Sequence, residues 1–277
     1  MATKAPTFYQ EVSAAISHFQ AFGFTSQAQL DQWVGRIRRA ALLQLKPPAE
    51  TERELKRVLG DRYKHLVTKA GILNSMPEVS RYTLEKVKPK LRKELDRRIM
   101  ASANLISLNR QEAVSTTLRR FQGWATSIPA GGSRAVDKQA EKDAIRKPLS
   151  QMTFIERRVV IDQTHKLIGA IRDITATDAG AIALIWHSPW RRPGYDYRDT
   201  HRARDEKIYA IRGNWAIEKG LMKAGPNGYY DEITAVGEEV YCSCNAQYLF
   251  YLSRLPPEFL TKAGMYALPA KSTAKAA

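Results

Sequence analysis

The sequence predicts a predominantly α-helical α+β protein, and three observations support that class. Apolar residues recur at three- and four-residue spacing through most of residues 7–124, the pattern of amphipathic helices. A short apolar run at 181–186 follows a long helical pattern at 153–173 and is typical of a buried strand. Glycine-rich turns then break up residues 213–237, which favours short strands or loops there.

The first three helices each have a start or stop signal. Ser26-x-x-Gln29 and Thr51-x-x-Glu54 have the spacing of capping boxes. The three helical patterns end at Gly23, at Pro47-Pro48 and at Gly71. The predicted helices therefore cover 7–22, the stretch from Ser26 to Pro47, and the stretch from Thr51 to Gly71.

A basic helix follows a connector or short helix at 77–88. Pro89 suits the first turn of this helix, whose apolar residues recur down to Ile106. A similar pattern continues over 114–124. Lysines and arginines occupy the other face, which is either a solvated surface or a surface that contacts DNA phosphates. The candidate DNA-binding residues are Lys90, Arg92, Lys93, Arg97, Arg98, Arg119 and Arg120.

Composition places a domain boundary in the middle of the chain. The segment 128–133, Ile-Pro-Ala-Gly-Gly-Ser, is the strongest helix breaker, and the polar residues 134–147 predict a linker helix or arm rather than core. The predicted parts are an N-terminal helical domain at 1–128, a linker or arm at 129–150, a small α+β domain at 151–260 and a flexible tail at 261–277.

Charge is the unusual feature of the composition. The chain has 44 Lys and Arg against 28 Asp and Glu, which gives a net charge of +16 and favours contact with polyanions. No apolar run reaches the roughly 20 residues of a spanning helix, and the N-terminus lacks the apolar core of a secretion signal. With only two cysteines, a disulfide framework is excluded, and we expect reduced thiols in a cytosol.

The stretch 186–209 is the densest mixture of aromatic, basic and acidic side chains. Within it, Arg198, His201 and Asp205 would share one face of a helix predicted over 197–212. Cys242 and Cys244 alternate in a strand predicted over 239–244, which would send both thiols to one face.

Three interpretations of these side chains remain open. His201, Cys242 and Cys244 could bind zinc, with His187 or Asp205 completing four ligands, although Cys-x-Cys departs from the usual zinc spacing. His201 could act as a base in a nuclease, oriented by Asp205 or Asp199, but no nucleophile motif accompanies it. Our prediction is a structural polar cluster with no catalytic residue and no cofactor, formed by Trp186, Arg198, His201, Asp205, Cys242 and Cys244.

The order of these residues resembles the phage Mu F-like minor head proteins, also called phage head morphogenesis proteins. The likeness covers 153–250 and rests on a helix containing residues 160–165, a strand ending at Trp186, Arg198-x-x-His201 with Asp205, and Cys242-Ser243-Cys244. Residues 118–124, Leu-Arg-Arg-Phe-Gln-Gly-Trp, resemble the segment that precedes this domain in tailed-phage versions. Two positions depart from the family: Glu206 stands where a glycine is usual, and Ser243 where an arginine is usual.

The resemblance implies a minor capsid protein of a tailed bacteriophage, present in multiple copies in the virion. Such proteins act in head assembly near the portal and contact the packaged double-stranded DNA. The expected partners are the portal protein, the major capsid protein and that DNA, with no membrane. The chain would be assembled in the host cytoplasm and reside in the head interior or the portal vicinity. The alternatives are a phage-encoded DNA-binding protein and a metal-dependent nuclease.

Overall fold

A computed structural model describes residues 5–68 and 71–268, and it confirms a predominantly α-helical α+β protein. Its helices are α1 (Phe8–Phe22), α2 (Gln27–Gln44), α3 (Pro48–Val67), α4 (Gly71–Ser75), α5 (Arg81–Ser127), α6 (Lys138–Ser150), α7 (Met152–Asp178), α8 (Asp199–Ala203), α9 (Trp215–Glu218) and α10 (Lys262–Tyr266). Its strands are β1 (Ala183–His187), β2 (Ile208–Ala210) and β3 (Asn245–Leu249). Single 3₁₀ turns lie at Tyr230–Glu232, Leu252–Arg254 and Pro257–Phe259.

The chain divides into two compact units. The first comprises Met1–Lys56 and Ile99–Val160, and the second comprises Arg57–Arg98 and Ile161–Ala277. Each unit therefore draws on two separate segments, whereas the sequence predicted consecutive domains with boundaries near 128 and 150. No helix in the described residues is long and apolar enough to cross a membrane.

The core of the first unit is built from the apolar stripes of its helices. α1 begins with a capping box between Thr7 and Gln10, and Ser26 caps α2 by accepting a hydrogen bond from the backbone N–H of Gln29. The buried side chains of α1 and α2 pack with those of α5 and α6. The assignment of 134–147 to a linker helix or arm rather than core was wrong in one respect, because Ile145 of α6 is buried in this core, as is Leu149 just after the segment.

A buried arginine connects several segments within the first unit. Arg110 donates through Nε and Nη2 to the two carboxylate oxygens of Glu156, at 2.7 and 3.1 Å. Its Nη1 donates to the backbone carbonyl of Lys46 at 2.9 Å and to Thr51 Oγ1 at 3.0 Å. One guanidinium therefore ties α5 to α7, to α3 and to the link before α3.

Pro89 does not begin a helix as predicted but lies inside α5. This helix starts at Arg81, where Ser80 accepts a hydrogen bond from the backbone N–H of Thr83. A proline inside a helix removes one backbone hydrogen bond and strains the preceding turn. Val87 and Leu91, both fully buried, flank Pro89, so core packing keeps the helix continuous despite this cost.

The second unit is organised around a three-stranded antiparallel sheet with order β2-β1-β3. The central strand β1 confirms the strand predicted from the apolar run at 181–186. The strand predicted over 239–244 is wrong: residues 239–241 form a turn and 242–244 are irregular. The pairing with β1 is made by β3, from Ala183 opposite Leu249 to His187 opposite Asn245. Tyr241 has φ +58°, a left-handed conformation that a regular strand does not contain.

The helix predicted over 197–212 is also wrong beyond its first turns. α8 ends at Ala203, Glu206 takes φ +63°, and the chain then enters β2. The backbone N–H of Glu206 donates to the carbonyl of Trp186 at 2.7 Å, which starts the pairing of this segment with β1. Strand pairing and burial of Tyr209 and Ala210 therefore override the local helical pattern.

The predicted flexible tail at 261–277 begins with ordered structure. Thr261 caps α10 by accepting from the backbone N–H of Gly264. Gly264 lies so close to the carbonyl of Leu221 that a Cβ atom would stand 1.9 Å from that oxygen. The remainder of the predicted tail, 269–277, lies outside the described residues.

Candidate functional site

The second unit contains a compact polar cluster centred on His201. Its other members are Trp186 from the end of β1, Arg198 at the start of α8, and Glu239, Cys242 and Cys244 from the turns that precede β3. We call these six residues the His201 cluster. The predicted cluster contained five of them, with Asp205 in place of Glu239.

The imidazole of His201 is buried and every part of it contacts another member. Its Nδ1 lies 3.5 Å from the Sγ atoms of both Cys242 and Cys244. Its Nε2 lies 3.0 Å from Oε1 of Glu239. The ring packs edge-on against Trp186, with centroids 5.5 Å apart. Since both nitrogens face protein groups, neither is placed to take a proton from a water molecule, so this geometry does not favour His201 as a hydrolytic base.

Glu239 joins the two residues that the sequence placed on one helix face. Arg198 Nε donates to Oε2 of Glu239 at 2.7 Å, and Arg198 Nη2 donates to the carbonyl of Val240 at 2.8 Å. Thr234 Oγ1 adds a further hydrogen bond to Oε1. The hydrogen bond with His201, with smaller contributions from Thr234 and Arg198, holds the pKa of the Glu239 carboxyl below its usual range despite partial desolvation.

Asp205, expected to act beside His201, points elsewhere. Its carboxylate accepts the backbone N–H of Ser188 at 2.8 Å and the indole N–H of Trp190 at 2.7 Å. Burial opposes ionisation, but these two donors and the nearby Arg191 keep the pKa of Asp205 below its usual range. The prediction failed because the helix ends before Asp205, so the assumed i, i+4 alignment with His201 does not exist.

Side chains from distant parts of the chain hold the two cysteines in place. Asp162 of α7 accepts the backbone N–H of Tyr241 at 2.6 Å, and the hydroxyl of Tyr195 accepts the backbone N–H of Ser243 at 3.0 Å. Both thiols are free and buried. A hydrogen bond from Cys244 lowers the pKa of Cys242 to about 5, and the same interaction raises the pKa of Cys244. Ionisation of one thiol therefore disfavours ionisation of the other.

The three soft donors of the cluster could hold a metal ion. The ligand atoms of His201, Cys242 and Cys244 all lie within 4.8 Å of one another. The same three residues were the predicted zinc ligands. His187 and Asp205, predicted as alternatives for the fourth ligand, do not belong to this group.

The predicted DNA-binding residues of α5 mostly make contacts within the protein. Lys90 pairs with Asp178 at 2.8 Å, and Arg98 and Arg97 both pair with Glu94 at 2.7 Å. Arg92 pairs with Asp96 in the same way, while Lys93 is exposed. These five belong to the second unit, whereas Arg119 and Arg120 belong to the first.

Arg119 and Arg120 also have partners inside the first unit. Arg119 Nη2 lies 3.4 Å from Oε1 of Glu112, and Arg120 Nη1 donates to the carbonyl of Ala144 at 2.7 Å. Exposed ion pairs of this kind contribute little free energy, so a phosphate can replace the carboxylate at small cost. The DNA-binding role of these residues therefore stays a prediction.

A second basic surface lies beside the His201 cluster and was not singled out from the sequence. Trp190, fixed by Asp205, carries Arg191 and Arg202 against its ring, with guanidinium carbons 4.4 and 4.6 Å from the ring centroid. We call these three residues the Trp190 surface. Both arginines are exposed. The aromatic and basic density of 186–209 was the available sequence signal, but spacing alone could not pair Arg202 with Trp190.

Comparison of the chain with protein-family models, with curated proteins and with solved structures finds no match in any of the three.

Proposed function

We propose that this chain is a minor head protein of a tailed bacteriophage that acts in head assembly near the portal and contacts the packaged DNA. The observation that carries the proposal is the convergence of the residues behind the resemblance to the Mu F-like proteins. Trp186, Arg198, His201 and the two cysteines span 59 positions of sequence, from 186 to 244. All five nevertheless belong to one cluster.

The backbone at Glu206 gives independent support. The family usually has glycine at this position, and Glu206 adopts φ +63°. Glycine takes a left-handed conformation without the steric cost that a side chain brings. The left-handed backbone at position 206 is therefore one that would favour glycine, the residue that the family usually has there.

The Trp190 surface supports contact with DNA. Stacking on a fixed indole holds the guanidinium groups of Arg191 and Arg202 in place at the protein surface. Arginines of this kind bind phosphate oxygens and release counterions from the nucleic acid. The net charge of +16 strengthens the attraction between the whole chain and a densely packed genome.

The same proposal assigns the portal protein or the major capsid protein as partners, and the virion as the site of action. A nuclease is the weaker candidate, because His201 is buried and both of its ring nitrogens face other side chains. A DNA-binding protein that never enters a particle is the second alternative. It shares the Trp190 surface but requires no contact with a head protein.

Analysis of assembled particles tests the proposal. Heads from an infected culture are treated with nuclease and protease, purified by density, and examined by quantitative mass spectrometry. We expect the chain in heads, protected from protease, at a copy number closer to that of the portal than to that of the shell protein. Its absence from purified heads contradicts the proposal. Metal-dependent cleavage of plasmid by the pure chain, lost in His201→Ala, would favour the nuclease.

A further inference from the structure

The His201 cluster brings one imidazole nitrogen and two sulfur atoms within 4.8 Å of one another in the protein interior. His201 and Cys242 are each 2% exposed and Cys244 is 8% exposed. A buried imidazole and two buried thiols of this kind need partners for every polar atom. His201 Nδ1 is the hydrogen-bond partner of both sulfurs at once.

The two nitrogen–sulfur distances match those of a tetrahedral metal centre. Zn–S bonds of about 2.3 Å and Zn–N bonds of about 2.0–2.1 Å place a nitrogen and a sulfur ligand about 3.6 Å apart on a tetrahedron. Nδ1 of His201 lies 3.5 Å from both sulfur atoms. A single ring nitrogen has one lone pair or one proton, so it forms a good hydrogen bond with one thiol and not with two.

Glu239 orients the imidazole for metal binding. Oε1 of Glu239 lies 3.0 Å from Nε2, the ring nitrogen on the side away from the sulfurs. In the neutral tautomer that donates from Nε2 to this oxygen, the lone pair of Nδ1 faces the two sulfurs. Arg198 fixes the other carboxylate oxygen. A carboxylate that holds the distal nitrogen of a histidine is the usual outer support of a zinc ligand.

Two buried donors beside Cys244 lack an acceptor. Among the described residues, neither Trp186 Nε1 nor Ser188 Oγ has a hydrogen-bond partner. Both lie near the Cys244 sulfur, although neither reaches hydrogen-bond geometry with it. A metal-bound thiolate at this position would provide the negative charge that these donors otherwise miss.

We propose that His201 Nδ1, Cys242 Sγ and Cys244 Sγ bind a zinc ion, with a solvent molecule as the fourth ligand. Both sulfurs bind as thiolates, any remaining thiol proton is released to solvent, and the two negative charges neutralise Zn²⁺ in the buried site. The ion crosslinks α8 to the turns at 236–244, which contain no helix or strand. This site stands independently of the proposed role in phage heads.

Cobalt titration of the full chain tests the site directly. The protein is purified under reducing conditions, treated with a chelator and titrated with Co²⁺. We expect a near-ultraviolet thiolate-to-cobalt charge-transfer band that saturates at about one equivalent and disappears when Zn²⁺ is added. Because the chain has two cysteines, such a band arises from Cys242 or Cys244. A folded, reduced wild-type chain without the band overturns the proposal, whether or not any variant folds.

Variants separate the roles of the individual residues. Cys242→Ser and Cys244→Ser should each remove most of the band, and Glu239→Gln should weaken Co²⁺ binding by about 10- to 100-fold. His187→Ala is the matched control, since His187 lies on β1 outside the ligand set, and it should bind as the wild type does. Unchanged affinity in His201→Ala would remove the imidazole from the site and refute the three-ligand assignment.

Discussion

Removing the two arginines of the Trp190 surface should change how DNA binding responds to salt. We consider the double variant Arg191→Ala/Arg202→Ala. Each exposed guanidinium is placed to neutralise one phosphate. Because each neutralised phosphate contributes about 0.9 to the slope of log K against log salt, the double variant should lose about 1.8 from that slope. Between 50 and 200 mM salt, the wild type should therefore lose about tenfold more of its affinity than the variant does.

Fluorescence anisotropy with a labelled duplex, measured at several salt concentrations, gives both slopes. Arg57→Ala/Arg62→Ala is the matched control, since it removes the same charge from exposed positions on α3 within the same unit. Circular dichroism should show that all three proteins are folded. If the control and the test variant lower the slope equally, net charge alone drives binding, and the reasoning from the Trp190 surface is refuted.

Two further predictions concern stability. Arg110→Met should lower the free energy of unfolding by about 3–5 kcal/mol, because it leaves Glu156 and other acceptors without their buried donor. Urea unfolding measures this loss. A loss under about 1 kcal/mol would show that water replaces the guanidinium. Glu206→Gly should leave stability unchanged or raise it by up to about 1 kcal/mol, since the relief of left-handed strain offsets the entropy of glycine. The control Glu52→Gly, inside α3, should cost about 1 kcal/mol, and equal losses in the two variants would contradict the strain at position 206.

The helices of the chain were predictable where a long apolar stripe coincided with a cap. α1 starts and ends within a residue of its predicted limits because its apolar stripe and its terminal Gly23 agree, and in the structure Thr7 caps its start. The errors fall where packing overrode a local signal. Pro89 predicts a helix start, but buried neighbours on both sides keep α5 continuous through it.

The sequence predicted most of the residues of the His201 cluster but not the contacts between them. The high local density of aromatic and basic residues, together with the two nearby cysteines, indicated Trp186, Arg198, His201, Cys242 and Cys244. The acidic partner was misassigned because regular helix geometry was extended past Ala203 to Asp205. Glu239 could not have been selected, since it reaches His201 across 38 positions and no periodicity relates two irregular segments.

The way in which the cysteine turns are anchored has a consequence for the order of folding. Tyr241, Cys242 and Ser243 bond to Asp162, His201 and Tyr195, partners that are 79, 41 and 48 residues away. Contacts between residues so far apart close large loops, and they form only after the nearer elements have restricted the chain. The thiols thus stay open to alkylating reagents until the second unit is nearly complete, and their protection reports the last stage of its maturation.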